Sequence, residues 1–305
     1  MSARRPAASA APTVAQLLAE AEQRLEAGEV EFPDTSALWL LAAALGELED
    51  PDALEERPDR AVDPAAVERF RALVDRREAH EPFQYLAGVS LFRDVLLEVE
   101  RGIFLPRSQS ERMCDEIEEW AAGRDAPPGG WRVADLGTGS GAIAVALARG
   151  PLAPSRVWAI DLSPQAAALA GRNAARGGVA DRLLPVVGDW LTMVRPEPCL
   201  DIVTVVPPYL NPGDEAYLSE ETMRWEPLEA FFGEPSGDEL LRHLIDEVAL
   251  RLRPGGLLAC QLDTDQAEGI EAYVNEDPEH PLTVEWILID DEGDADAILA
   301  VKEVP

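Results

Sequence analysis

Positive charge and ligating side chains are scarce in this chain. Lys302 is the one lysine among 26 basic residues, against 58 Asp and Glu, so the formal charge is −32. Affinity for a nucleic-acid backbone comes mainly from Lys and Arg neutralising phosphates, and this balance argues against a nucleic-acid partner. The acidity reads as a device for solubility or for a salt-rich cytoplasm, or as suited to a cationic substrate. A single lysine leaves almost nothing for Schiff-base chemistry. Cys114, Cys199 and Cys260 are scattered and odd in number, which argues against a disulfide framework. Neither they nor His80, His243 and His280 have metal-ligand spacing, so no metal and no histidine-assisted nucleophile is expected. No apolar run approaches the roughly 18 to 20 residues of a membrane span, and no membrane partner is expected. The start, MSARRPAASAAPT, lacks the continuous apolar core of a secretion signal. Residues 1–12 read as a disordered tail on a cytoplasmic protein.

What is present is enough for two domains: 305 residues, 47% of them hydrophobic. Over 13–82 the periodicity is helical. VAQLLAEAEQRLEAG stops at Gly28, SALWLLAAALG is nearly all apolar and stops at Gly46, and PAAVERFRALVDRREA has proline in its first turn. Over 83–112, FQYLAGVSLFRDVLLEVERGIFLPR predicts a hairpin turning at Glu100 to Gly102, a connector to the rest. From 113 to 305 strands alternate with helices. RVWAID, RLLPVV, LDIVTVV and GLLACQLD are strands, Ser163 caps the helix SPQAAALAGRNAARG, and a parallel, doubly wound sheet follows. TVEWILID and AILAVKEV, across DEGDAD, read as an antiparallel hairpin on the sheet edge.

The chain is organised around WRVADLGTGSGAIAV, residues 131–145, a strand feeding a glycine turn and then a helix. Glycines let the backbone turn sharply and approach a ligand, while the helix start offers unpaired N–H groups. Gly137, Gly139 and Ala142 fit the dinucleotide pattern, which is weak alone. Asp135 discriminates: its carboxylate would face a pyrophosphate unfavourably, whereas the ammonium and sulfonium of S-adenosylmethionine suit a negative loop. Asp161, closing the second strand about twenty residues on, can take ribose hydroxyls of either cofactor. The fourth strand ends in Val206-Pro207-Pro208-Tyr209, beside that turn if the sheet is doubly wound. Prolines fix the backbone and aim its carbonyls, and Tyr209 offers a ring face to a planar group. A proline pair also simply ends many strands.

FQYLAG, FLPRSQSE, VADLGTGSGAIAVALA, AID, GDW, VPPY, RWEPLEAFFGEPSG and RPGG, in this order, resemble the HemK/PrmC group of release-factor glutamine methyltransferases, class I S-adenosylmethionine-dependent enzymes. The resemblance spans nearly the whole chain. It implies a helical substrate-recognition domain followed by a Rossmann-like, seven-stranded methyltransferase domain. It also implies that Gly137, Thr138, Gly139, Ser140 and Gly141 hold the methionine part of the cofactor, Asp161 the ribose, and Asp189 with Trp190 the adenine side, with Leu162 a further cofactor contact. Val206, Pro207, Pro208 and Tyr209 would position the acceptor, with Val206 also against the cofactor.

Family members read NPPY, where the asparagine holds the amide of the target glutamine. Valine neither donates nor accepts, a loss of order 1 to 3 kcal/mol if the partner stays unpaired. SQSE also departs from the family's proline and acidic residue, and the carboxy-terminal hairpin lacks an arginine often found there. From these departures we expect an acceptor that has diverged, a small molecule or a protein group other than glutamine. Retained glutamine methylation of a release factor is the alternative, and a cofactor-binding scaffold without catalysis a third reading. The sequence leaves oligomeric state open.

Overall fold

The computed structural model describes residues 11–152, 155–208, 210, 213, 215–232, 237–290 and 294–304. The expected tail thus falls outside the described residues up to position 10, as does Tyr209. The chain divides into two compact units between Gly88 and Val89.

The first unit is helical: α1 (Val14–Ala27), α2 (Pro33–Leu45), α3 (Pro64–Arg77) and the short α4 (Phe83–Ala87). Caps set the starts. Thr13 and Gln16 form a capping box on α1, and Asp63 takes two amide hydrogens at the start of α3, where Pro64 has none to lose. Gly46 stops α2 in the left-handed conformation, φ 76°. The nearly all-apolar α2 is the centre of the unit, touching α1, α3 and α4, with Ala37, Leu40, Leu41 and Ala44 in its core.

The second unit opens with a hairpin, β1 (Val89–Phe92) and β2 (Val95–Glu98), pairing Phe92 with Val95. Its turn is therefore Arg93-Asp94, not the expected Glu100 to Gly102, which forms a separate turn just after. Arg93 accepts a left-handed φ of 52° because α5 (Ser108–Ala122) holds it at both ends. Glu111 takes its backbone N–H, and Glu118 and Asp115 take its guanidinium. The hairpin packs on this unit, β2 touching α7, so the compact units part before it.

The sheet comprises β3 (Trp131–Leu136), β4 (Ser155–Asp161), β5 (Leu183–Val187), β6 (Leu200–Val205), β7 (Leu252–Gln261), β8 (Leu282–Ile289) and β9 (Ala295–Lys302). The order is β5-β4-β3-β6-β7-β9-β8, all parallel except β9, which runs antiparallel to both neighbours. This is the Rossmann-like, seven-stranded sheet that the sequence resemblance implies. The last hairpin forms as expected, but β9 inserts beside β7 and leaves β8 on the edge. Helices α6 (Ala142–Arg149), α7 (Pro164–Arg176), α9 (Gly237–Arg251) and α10 (Thr264–Asn275) accompany the strands, and α8 (Glu220–Trp225) lies in the β6–α9 connection. Every residue of β6 is buried, as for a central parallel strand covered on both faces.

The strand order reverses between β3 and β6, where Leu136 pairs with Val205. Gly137 and Val206 therefore leave the sheet side by side at the switch point, where ligands of open α/β sheets bind.

Candidate cofactor and acceptor cleft

A cleft of about 480 Å³ opens at that switch point, within the ~300–1,000 Å³ of small-molecule sites. Its wall contains Gly137, Thr138, Gly139, Ser140, Asp161, Leu162, Asp189, Trp190, Val206, Pro207 and Pro208, so the structure gathers most of the predicted residues in one place.

The glycine turn has the conformation its sequence demands, with φ of 66°, 56° and 83° at Gly137, Gly139 and Gly141. The three do different work. A β-carbon on Gly139 would meet nothing within 4 Å, so the bare backbone there fronts open space. One on Gly137 would lie 3.6 Å from the Val206 carbonyl and 3.8 Å from the Trp190 ring, which makes this the convergence of the turn, the end of β6 and the Asp189-Trp190 segment. One on Gly141 would lie 2.8 Å from Ala170 Cβ. Gly141 is absent from the cleft wall and instead allows α6 to start hard against α7, so its expected contact with the cofactor gives way to packing.

Asp161 shapes the turn as well as facing the cleft. Its carboxylate accepts the Gly139 N–H and the Ser163 N–H, both at 2.8 Å, leaving other lone pairs toward the cleft. Beside it Leu162 is 72% exposed, an apolar platform at the cleft wall. Asp189 is exposed, and Trp190, with φ of 45°, lies partly on the apolar core and partly in the wall.

Asp135 has a different place from the one expected. It is 1% exposed and outside the cleft wall, because it points into the protein. Its carboxylate accepts the hydroxyl of Thr138 at 2.5 Å and of Thr204 at 2.7 Å, tying the glycine turn to β6. Burial pushes its pKa up to about 6 despite those two hydrogen bonds. The acid thus braces the loop and does not meet a ligand's charge.

Val206 is half-buried against the core, Pro207 is buried, and Pro208 is half-buried at the cleft. Several wall residues had no assigned role in the sequence. Phe104 and Phe231 meet edge to face at 5.0 Å. The Arg107 guanidinium lies 4.6 Å over Phe104 and pairs at 2.5 Å with Glu226, whose side chain is 3% exposed. Glu226 also takes the Leu105 N–H, so the segments around 105 and 226 close one wall together. Fully buried Asn173 donates to the Ser140 and Glu98 carbonyls, fixing the turn to the hairpin. FLPR and RWEPLEAFF carried this signal only as motifs; their meeting is set by the fold.

An open glycine backbone, a carboxylate at the end of the second strand, a second exposed acid and an apolar platform fit a ligand with a cationic amino-acid part, a ribose and a flat base.

Comparison with known proteins agrees. Residues 16–88 match the family described as PrmC N-terminal domain, and residues 133–225 the family described as Methyltransferase domain. The chain is 38% identical to the release factor glutamine methyltransferase of Moorella thermoacetica, over 87% of this chain and 93% of that one. It is 36% identical to the enzymes of the same name from Gloeobacter violaceus (82% and 83% covered) and Nitratidesulfovibrio vulgaris (88% and 90%). These likenesses overturn the expectation of a diverged acceptor, since chains of one name match across both units. The departure at Val206 had suggested otherwise, but its side chain packs on the core while its backbone keeps its place beside Gly137.

Proposed function

Because the chain belongs to the HemK/PrmC family of release factor glutamine methyltransferases, we propose that it methylates the side-chain amide nitrogen of a glutamine in a protein release factor. It is an S-adenosylmethionine-dependent methyltransferase. The observation that carries the acceptor assignment is the 38% identity to an enzyme of that name over 93% of its length, which includes both the helical part and the sheet.

In this reading Gly137 to Ser140 front the methionine part of the cofactor, Asp161 accepts ribose hydroxyls, and Leu162, Asp189 and Trp190 border the base. Bound there, S-adenosylmethionine supplies a methyl group already activated by the sulfonium, so no acid-base relay is needed for its departure. The task left to the protein is alignment, which for reacting atoms held about 3 to 3.5 Å apart accounts for much of a barrier. The backbone carbonyls of Val206 and Pro207 take the amide hydrogens of the acceptor and so aim its nitrogen, the proton that the methyl group displaces leaves to solvent, and Phe104 with Phe231 closes the apolar side. A release factor as acceptor places the enzyme in the cytoplasm.

The test is transfer from labelled S-adenosylmethionine to a purified release factor, followed by mass mapping. A single added methyl on a glutamine is the expected result; label on another residue type, or none on the protein, rejects the assignment.

A further inference from the structure

Phe32 in the helical unit combines an exposed ring with a backbone conformation that costs energy to hold. Its ring is 66% exposed, and its backbone has φ of 51° and ψ of 58°, a left-handed conformation that is a true outlier for a bulky side chain. Pro33 follows, which pushes the preceding residue toward extended conformations and makes the left-handed one harder still. The core of the unit does not include the ring.

The turn is nonetheless held firmly. Arg77 is 1% exposed and donates to the Glu31 carbonyl at 2.8 Å, to Ser36 Oγ at 3.0 Å and to the Glu81 carbonyl at 3.0 Å. The Phe32 carbonyl itself accepts the Ser36 N–H at 2.8 Å. A buried arginine thus fixes the chain on both sides of Phe32 and fixes the direction in which the ring leaves the surface.

Around the ring the surface is acidic, with Glu29, Glu31 and Asp34 all exposed. A central aromatic residue ringed by polar groups is a recurring form of interface hot spot. We propose that Phe32 anchors the protein substrate, its ring entering an apolar pocket on a basic surface of that partner. The commitment to a basic protein follows from the acidic rim and the net charge of −32, and it rests on the protein acceptor proposed above. The cofactor cleft, by contrast, is built entirely from residues beyond Gly88, so this ring has no part in holding the cofactor.

The test measures methylation of two acceptors, an intact release factor and a short peptide spanning its acceptor glutamine, by the full-length enzyme and by Phe32→Ala and Phe32→Gly. KM for the intact factor should rise roughly tenfold or more in both variants, while kcat and the constants for the peptide stay within twofold. Phe32→Gly should also melt above the wild type, because glycine adopts the left-handed conformation freely; a ring that served the fold would give the opposite shift. An unchanged KM for the intact factor, or equal losses on factor and peptide, overturns the proposal. So does a wild-type dimer that Phe32→Ala dissociates without change in KM, which would assign the ring to a second copy. A wild-type enzyme that methylates neither acceptor removes the premise itself, a result distinct from all of these.

Discussion

Thr204 of β6 donates its hydroxyl to Asp135 of β3 across 2.7 Å, and the other oxygen of the same carboxylate takes the hydroxyl of Thr138 in the glycine turn. One buried acid therefore links β6, which runs into Val206 and the two prolines, to the glycine turn that lines the cleft.

That link makes stability depend on pH. Burial raises the Asp135 pKa from 3.8 to about 6, so the native state binds this proton more tightly than the unfolded chain does. The stabilising contribution of the protonated acid is fully present below about pH 4 and is lost as pH rises through 6, a change of order 3 kcal/mol. Urea unfolding of the wild type and of Asp135→Asn at pH 4.5 and 7.5 should show the difference between them shifting against the wild type at the higher pH. A difference that does not move with pH would assign the effect to other groups.

Asp161→Ala should weaken S-adenosylmethionine binding roughly 10- to 100-fold, the loss of one charge-assisted hydrogen-bonding group together with the acceptor for the Gly139 N–H. Calorimetric titration measures this directly. Binding within twofold of wild type would mean that the ribose is held elsewhere.

If Pro207 and Tyr209 act on the acceptor as proposed, Pro207→Ala and Tyr209→Ala should abolish turnover while cofactor affinity stays within a few-fold. Val206→Asn adds a single hydrogen-bonding side chain and should raise kcat/KM for glutamine by no more than about tenfold. Steady-state methylation with a glutamine peptide separates these effects; a collapse of cofactor binding in the first two variants would contradict the assignment of roles.

Gly141→Ala should destabilise the protein by about 2 to 4 kcal/mol, because the added carbon takes a left-handed φ and approaches Ala170 Cβ to 2.8 Å. Adding Ala170→Gly should recover part of that loss and leave the backbone strain, which thermal unfolding of the double variant can resolve. No recovery would show that the Ala170 contact is not what limits the site.

Much of this was legible because it is local. Glycines at alternate positions, an acid at a strand end and a serine before a helix each state their conformation within a few residues, and they held at Gly139, Asp161 and Ser163. Hydrophobic periodicity likewise gave the helices around Leu17 and Leu40 and the strands around Val133 and Val203. What failed depends on distant partners. The hairpin turn lies at Arg93 because acids of α5 hold it there, about seven residues before the Glu100 to Gly102 stretch that reads as a turn in sequence. Asp135 read as a ligand contact because nothing local shows that Thr204, 69 residues on, takes its oxygen. Arg107 and Glu226 are 119 residues apart, and Val206 suggested a changed acceptor when only its side chain had changed.

The insertion of β9 between β7 and β8 has a consequence for synthesis. A strand later in the chain fills a gap between two made earlier, and with it Lys302 caps the carbonyls of Ala249 and Leu252. While the chain is still emerging, β7 presents an open edge beside a large apolar surface, the kind of edge that invites pairing with other chains. A chain cut before Ala295 would carry its glycine turn intact, yet be destined for aggregation or degradation.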